Sequence, residues 1–134
     1  MKATLQHIQL NVSNKNISYP FYKEMLRLLG YKVFSEEEWG IGMNDLKTNL
    51  VIWVAETETK YRKNKYHRKS TGINHLAFLV SSKKNVDEFY TKFIKKNNIK
   101  TLYQTPKAFP EYTPKYYAVF FEDPDRIKLE VVFM

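Results

Sequence analysis

His7-Ile8-Gln9-Leu10-Asn11-Val12 leads into Phe21-Tyr22, and His75-Leu76-Ala77-Phe78-Leu79-Val80 leads over the same distance into Phe89-Tyr90. One constant offset of 68 residues, from His7 to His75, carries the first block onto the second, and it also aligns Ser13 with Ser81 and Met25 with Phe93. Gap-free agreement over that many positions points to an internal duplication of a unit about half the chain long. A unit of that size that opens on a strand and continues into a helix predicts a βαβββ module, present twice. Each histidine then opens the first strand of its module, in equivalent surroundings.

At 134 residues and 43% apolar content the chain is sized for one packed domain. The expected organisation is a single domain over 1–134, made of module 1–58 and module 72–134 joined by a basic crossover, 59–71. No apolar run approaches the roughly 18 to 20 residues of a membrane span, and no basic-then-apolar leader opens the chain, so a cytoplasmic protein without membrane contact is expected. The absence of cysteine excludes disulfides, thiolate catalysis and sulfur-rich metal sites, leaving His, Asp and Glu as strong metal ligands. The net charge of +8 invites an acidic partner, and Lys and Arg crowd the crossover between Lys60 and Lys69 around Tyr61 and Tyr66. No nucleic-acid motif accompanies that charge, so a solvated linker is the expectation there; an anionic small molecule fits the charge equally well.

Hydrophobic periodicity fills in the modules. Residues 5–12 alternate His7, Gln9 and Asn11 against Ile8, Leu10 and Val12, as a half-buried strand does. A helix follows with Ser18 as N-cap and Pro20 in its first turn, its apolar stripe at Phe21, Met25, Leu28 and Leu29, and Gly30 as its stop. Strands are predicted at 31–37, 39–43 and 49–56, with a turn near Asn44-Asp45. The second module repeats this order with a strand at 73–81, a helix from Val86 to Lys96, and strands at 99–105, 115–122 and 127–133. Pro106, Pro110 and Pro114 mark 106–114 as a loop without regular structure, of the kind that closes over a site, with Tyr112 placed to line it.

Glu130 stands out because Ile127-Lys128-Leu129-Glu130-Val131-Val132-Phe133 is otherwise strongly apolar. A carboxylate buried there without a partner would cost several kcal/mol, so it calls for a cation, a hydrogen-bond network or an open strand face. Two histidines in equivalent places and one carboxylate form a natural set for a divalent ion with vacant positions. Manganese, iron, nickel, cobalt and zinc all suit His7, His75 and Glu130.

These segments, together with Leu29-Gly30-Tyr31, Thr71-Gly72-Ile73-Asn74 and Phe121-Glu122-Asp123-Pro124-Asp125, resemble the vicinal-oxygen-chelate superfamily over essentially the whole chain. That superfamily includes glyoxalase I, extradiol dioxygenases, fosfomycin-resistance enzymes and bleomycin-resistance proteins. Trp39-Gly40-Ile41 and Tyr66-His67-Arg68 resemble a bacterial glyoxalase-like subgroup within it. The resemblance implies an α+β fold in which two βαβββ modules form a cupped, eight-stranded mixed sheet, with metal ligands on the first and last strand of each module. His7, His75 and Glu130 match three of those places. Aligning Val51-Ile52-Trp53-Val54 with Lys128-Leu129-Glu130-Val131 puts Trp53 at the fourth, where glyoxalase I has a glutamate that also moves the substrate proton; this departure speaks against lactoylglutathione lyase activity.

The function implied is that of a metal-dependent lyase, isomerase or dioxygenase that chelates neighbouring oxygens of a small substrate. In that scheme Trp53, Tyr112, Tyr116 and Tyr117 are candidates for the substrate wall, although aromatic residues on strands often serve only the core. His67 is the candidate acid or base, with a solvated linker histidine as its plainer identity. A homodimer is expected, and the alternative function is non-catalytic sequestration of a ligand, as in bleomycin-resistance proteins.

Overall fold

The computed structural model describes residues 1–63 and 66–134. It divides into two compact units, Met1–Lys65 and Tyr66–Met134, so the boundary falls inside the basic crossover. Each unit is a βαβββ module with its own four-stranded sheet. Eight strands in two modules is the α+β architecture expected from the repeat. Among the described residues no helix is long and apolar enough to cross a membrane.

The first unit comprises β1 (His7–Val12), α1 (Lys15–Leu28), β2 (Lys32–Glu36), β3 (Gly40–Asn44) and β4 (Val51–Glu56). Its sheet runs β1-β4-β3-β2, with β1 and β4 parallel at one edge and the other pairings antiparallel. Strand alternation sorts the side chains. Leu10, Val12, Ile41, Met43, Ile52 and Val54 are buried, as are Tyr22, Met25 and Leu26 on the helix that packs against this sheet. His7, Gln9 and Trp53 therefore belong to the opposite face.

Helix α1 starts four residues earlier than the sequence suggested. Asn14, in extended conformation, is its N-cap and accepts from the Asn16 N–H at 3.0 Å, while Ser18 lies buried inside the helix. Pro20 sits in the helix interior, where it withholds one backbone donor. The stop is at the expected place: Gly30 takes φ +92° and the Tyr31 N–H returns to the Leu26 carbonyl at 2.9 Å, closing the final turn.

The second unit comprises β5 (His75–Leu79), α2 (Lys83–Phe89), β6 (Thr101–Ala108), β7 (Tyr117–Glu122) and β8 (Lys128–Phe133), in sheet order β5-β8-β7-β6. Helix α2 also starts earlier than expected. Its N-cap Ser82 accepts from the Asn85 N–H at 3.2 Å, and a π-helical stretch, Tyr90–Lys95, continues it. Asn14 and Ser82 obey the same offset of 68 as the histidines, so the repeat extends to the helix caps. Phe89 and Phe93 on this helix pack against Phe121 with ring centroids 5.7 and 6.1 Å apart. Tyr117, Val119 and Phe121 thus face the helix, while Ala118 and Phe120 face the other way.

One expectation needs correction. Residues 106–108 are not loop but the far end of β6, which leaves the ladder after Leu102 and rejoins it at Lys107 opposite Ala118. Tyr103 and Gln104 take left-handed conformations, φ +57° and +56°, across this irregularity. The Thr105 hydroxyl fills the gap: it donates to the Leu102 carbonyl at 2.8 Å and accepts from the Phe120 N–H at 2.9 Å. A side chain thereby replaces ladder bonds that the bulged backbone and Pro106 cannot supply.

Tyr117 ties the sheet to α2 through a 2.7 Å bond from its hydroxyl to Asp87 Oδ1. Burial, and then the bond to the Asp87 carboxylate, push its phenol up to about 12 from the ordinary value near 10. Because the folded value lies above the unfolded one, the stability this contact contributes is complete below about pH 10 and is lost as pH rises toward 12. Urea midpoints of wild type and Tyr117→Phe should therefore differ at pH 8 to 9 and converge near pH 12.

Candidate functional site

The sheet face of the second unit opposite α2 gathers the chemistry. The parallel register of β5 and β8 pairs His75 with Lys128 and Ala77 with Glu130, so His75, Lys128 and Glu130 share this face. Glu130 is only 1% exposed and faces its register partner Phe120 across β7, and Tyr116 donates its hydroxyl to Glu130 Oε1 at 2.5 Å. Burial, and then the bond to the Glu130 carboxylate, raise the Tyr116 phenol well above its ordinary range, so it stays a donor at neutral pH.

The second carboxylate oxygen is left over. Glu130 Oε2 is sealed from solvent and makes no hydrogen bond, yet His75 Nε2 stands 3.2 Å from it. The orientation of that imidazole is fixed from behind: His75 Nδ1 lies 2.9 Å from Asn74 Oδ1, and Asn74 Nδ2 in turn donates to the Arg68 carbonyl at 3.0 Å. Since the Asn74 oxygen can only accept, Nδ1 carries the proton, and a neutral His75 turns the Nε2 lone pair toward Oε2. Two lone pairs so placed require a cation, either a proton on the imidazole or a metal ion. The spacing suits a metal, because donors at adjacent positions around one ion, each about 2.1 Å from it, stand about 3 Å apart. An orienting partner on the far ring nitrogen is also what metal-binding histidines ordinarily have.

In the first unit His7 is exposed, and its Nδ1 lies 2.6 Å from Gln6 Oε1. Gln6 and Asn74 obey the offset of 68, so each histidine is held by the side-chain amide of the residue before it. The sequence reading passed over both amides; the repeat, extended one residue toward the N-terminus, was the signal for them. Within either unit, no three His, Asp or Glu side chains gather among the described residues.

Trp53 pairs with Gln9 in the register of β1 and β4, as Glu130 pairs with Ala77 in that of β5 and β8, and it therefore takes the place that Glu130 has in the second unit. Its ring stacks on Trp39 at 4.9 Å and meets Phe34 edge-on at 5.3 Å. Gly42 makes this possible: a Cβ there would lie 2.8 Å from the Phe34 ring and 2.9 Å from that of Trp53. Trp39, 52% exposed, also borders an open cleft of about 390 Å³ in which Arg62 pairs with Glu56 at 3.1 Å.

The remaining expected residues divide. Tyr112 stacks on Phe109 at 5.5 Å and meets Tyr116 edge-on at 5.2 Å, so it belongs to the cluster around Glu130. Tyr117 is on the helix side of the sheet, held by Asp87, and is not part of a wall with Tyr116. His67 is exposed in a turn where its Nδ1 accepts from the Lys69 N–H at 3.2 Å, and no described contact joins it to His75 or Glu130.

Comparison with known proteins gives a consistent result. The profile of the Glyoxalase/Bleomycin resistance protein/Dioxygenase superfamily matches residues 4–131. The uncharacterized protein YqjT of Bacillus subtilis is 36% identical over 128 residues, covering 96% of this chain and 97% of that one. A crystal structure from Bacillus halodurans, provisionally described as a glyoxalase, superposes with a TM-score of 0.89 at 34% identity, covering 99% of this chain and 97% of the other. The fosfomycin resistance protein FosX of Listeria monocytogenes shares the fold, with a TM-score of 0.70 at 20% identity over 100% of this chain and 95% of its own.

Replacing Tyr116 by Phe removes the donor from a buried carboxylate oxygen and should cost about 1–3 kcal/mol in urea unfolding. Gly42→Ala should displace the Trp53 ring, at a cost of about 1–3 kcal/mol. Because the only two tryptophans of the chain form that stack, the displacement should be visible as a shift of intrinsic fluorescence.

Proposed function

The chain belongs to the glyoxalase/bleomycin resistance protein/dioxygenase superfamily, and on that premise we propose a metal-dependent enzyme that chelates neighbouring oxygens of a small substrate. Its reaction is of the lyase, isomerase or dioxygenase type. The observation that carries this reading is the sealed, otherwise unpartnered Glu130 Oε2 with His75 Nε2 at 3.2 Å. His75 and Glu130 supply two ligands, and His7, equivalent to His75 under the repeat and held by Gln6 in the same way, is the third. Manganese, iron, nickel, cobalt and zinc suit two imidazoles and one carboxylate. A divalent cation held there would act as a Lewis acid toward substrate oxygens on which negative charge develops.

The chain's own groups have separable roles in this reading. Asn74 keeps the His75 lone pair aimed at the site. Tyr116 holds Glu130 through Oε1 and leaves Oε2 to the cation. The stacked rings of Phe109 and Tyr112, with Phe120, exclude water from that side, which strengthens every charge interaction within. His67, whose Nδ1 is engaged in its own turn, is the candidate acid or base. With Trp53 where a fourth carboxylate would stand, the chemistry differs from lactoylglutathione isomerisation. The same reading carries a cytoplasmic homodimer, in which the two modules act as one domain over 1–134.

A second reading rests on the first unit. The exposed Trp39 stacked on Trp53 offers a flat apolar surface suited to ligand sequestration without catalysis.

Elemental mass spectrometry of the purified protein decides between them. Near-stoichiometric metal in wild type, lost in His75→Ala, Glu130→Ala and His7→Ala variants that fold normally, is the expected result. Metal-free protein after anaerobic reconstitution would overturn the chelate reading and leave sequestration.

A further inference from the structure

Lys128 is a lysine in an unusual position. It is 9% exposed, sits in the central pair of strands of the second sheet, and shares a face with His75, its register partner, and Glu130, two residues farther along β8. Its ammonium lies over the rings of Tyr103, at 5.1 Å from the centroid, and Phe120, at 4.6 Å. Among the described residues it has no ion pair. The two carboxylates that flank it are committed elsewhere. Glu122, its register partner on β7, pairs with Arg68 and with Arg126, the latter at 3.5 Å, and Glu130 is held by Tyr116 and His75.

Two aromatic faces attract a cation by about 0.5–2 kcal/mol each, but they do not neutralise it. A charge withdrawn this far from water without a counter-ion is costly, and lysines in such places ordinarily have a partner. The ammonium nitrogen is nevertheless not among the sealed polar atoms, so it keeps some contact with solvent. The backbone is bent to create the arrangement: the left-handed Tyr103 and Gln104, with Thr105 repairing the ladder, bring the Tyr103 ring 5.5 Å from that of Phe120 and onto Lys128. Left-handed conformation in a residue as bulky as tyrosine is strained, and strain of this kind collects where a ligand is bound.

We propose that Lys128 is the anchor for a compact oxyanion, a carboxylate or phosphate-like group carried by the substrate. The oxyanion meets the ammonium on its open side, with Tyr103 and Phe120 behind it. Glu130 lies about 7 Å away along the strand, the rise of two residues. The substrate class is therefore a small acid whose charged group is set a few bonds from the oxygens that would be chelated. That second half rests on the metal-dependent reading given above; anion binding at Lys128 does not. The net charge of +8 favours capture of such a ligand at long range. The plainer reading is a lysine whose stem merely covers Phe120 while its nitrogen stays hydrated.

Titration of the EDTA-treated protein with inorganic phosphate at constant ionic strength, followed through lysine side-chain and backbone amide resonances by NMR, separates these readings. The Lys128 Nζ signal and the amides around Tyr103, Phe120 and Lys128 should shift together and saturate. In Lys128→Met the apparent affinity should fall about tenfold, the equivalent of one charge-assisted hydrogen bond. Lys128→Arg should restore it, and Lys83→Met, which removes an exposed lysine stacked on Tyr117 at 4.5 Å, should change it by less than about twofold. Shifts that do not saturate, that fall elsewhere, or that persist unchanged in Lys128→Met would overturn the proposal. Should Lys128→Met not fold, the location of the wild-type shifts decides alone. Metal is absent throughout, so failure here is distinct from failure of the chelate reading, which the metal content tests.

Discussion

An imidazole lone pair and a buried carboxylate oxygen that point at each other need a cation between them, and much of the second unit is arranged around that need. The parallel pairing of β5 with β8 puts His75 and Glu130 on one face, and Asn74 fixes which imidazole nitrogen faces Oε2. Tyr116 occupies the other oxygen. Without these supports Glu130 would be a buried carboxylate with no partner, which is costly. The aromatic cluster of Phe109, Tyr112, Tyr116 and Phe120 makes the constraint more severe by removing water.

The duplication was legible because its periodicity is a matter of side-chain type at fixed intervals, and a gap-free offset is independent of any judgement about strand or helix. It carried the βαβββ order; the equivalence of Trp53 and Glu130 came from aligning the two last strands under the family resemblance, and the strand registers reproduce it. The ends of elements were less legible. Asn14 caps α1 in place of Ser18, and Ser82 caps α2 ahead of its expected start at Val86, because a cap depends on which side-chain oxygen reaches a free N–H, and several Ser and Asn residues compete nearby. Pro106 read as loop although the strand resumes just beyond it, since the repair by the Thr105 hydroxyl is a three-dimensional event with no local signature. Tyr116 and Tyr117 are neighbours in sequence and look alike, yet strand alternation sends one to Glu130 and the other to Asp87. Lys128 could not be singled out from sequence, because its lack of a counter-ion among the described residues is visible only once the partners of Glu122 and Glu130 are known.

The two modules have kept their frame and parted in their chemistry. Both hold a histidine at the head of the first strand with an amide behind it, but at the paired position on the last strand one module has Glu130 and the other Trp53. The substitution is accommodated from below. Gly42 on the neighbouring strand leaves room that no other residue would, and Phe34 and Trp39 enclose the indole. A large aromatic ring in place of a carboxylate removes one negative charge from the ligand set and adds an apolar surface. In the proposed chelate, one carboxylate in place of two would leave a divalent cation with net positive charge and open positions, both of which favour an anionic, oxygen-rich ligand. Lys128 adds positive charge on the same face as His75 and Glu130 and points to the same ligand class. Trp53 in the first module and Lys128 in the second thus each make their own sheet face less negative than a carboxylate there would.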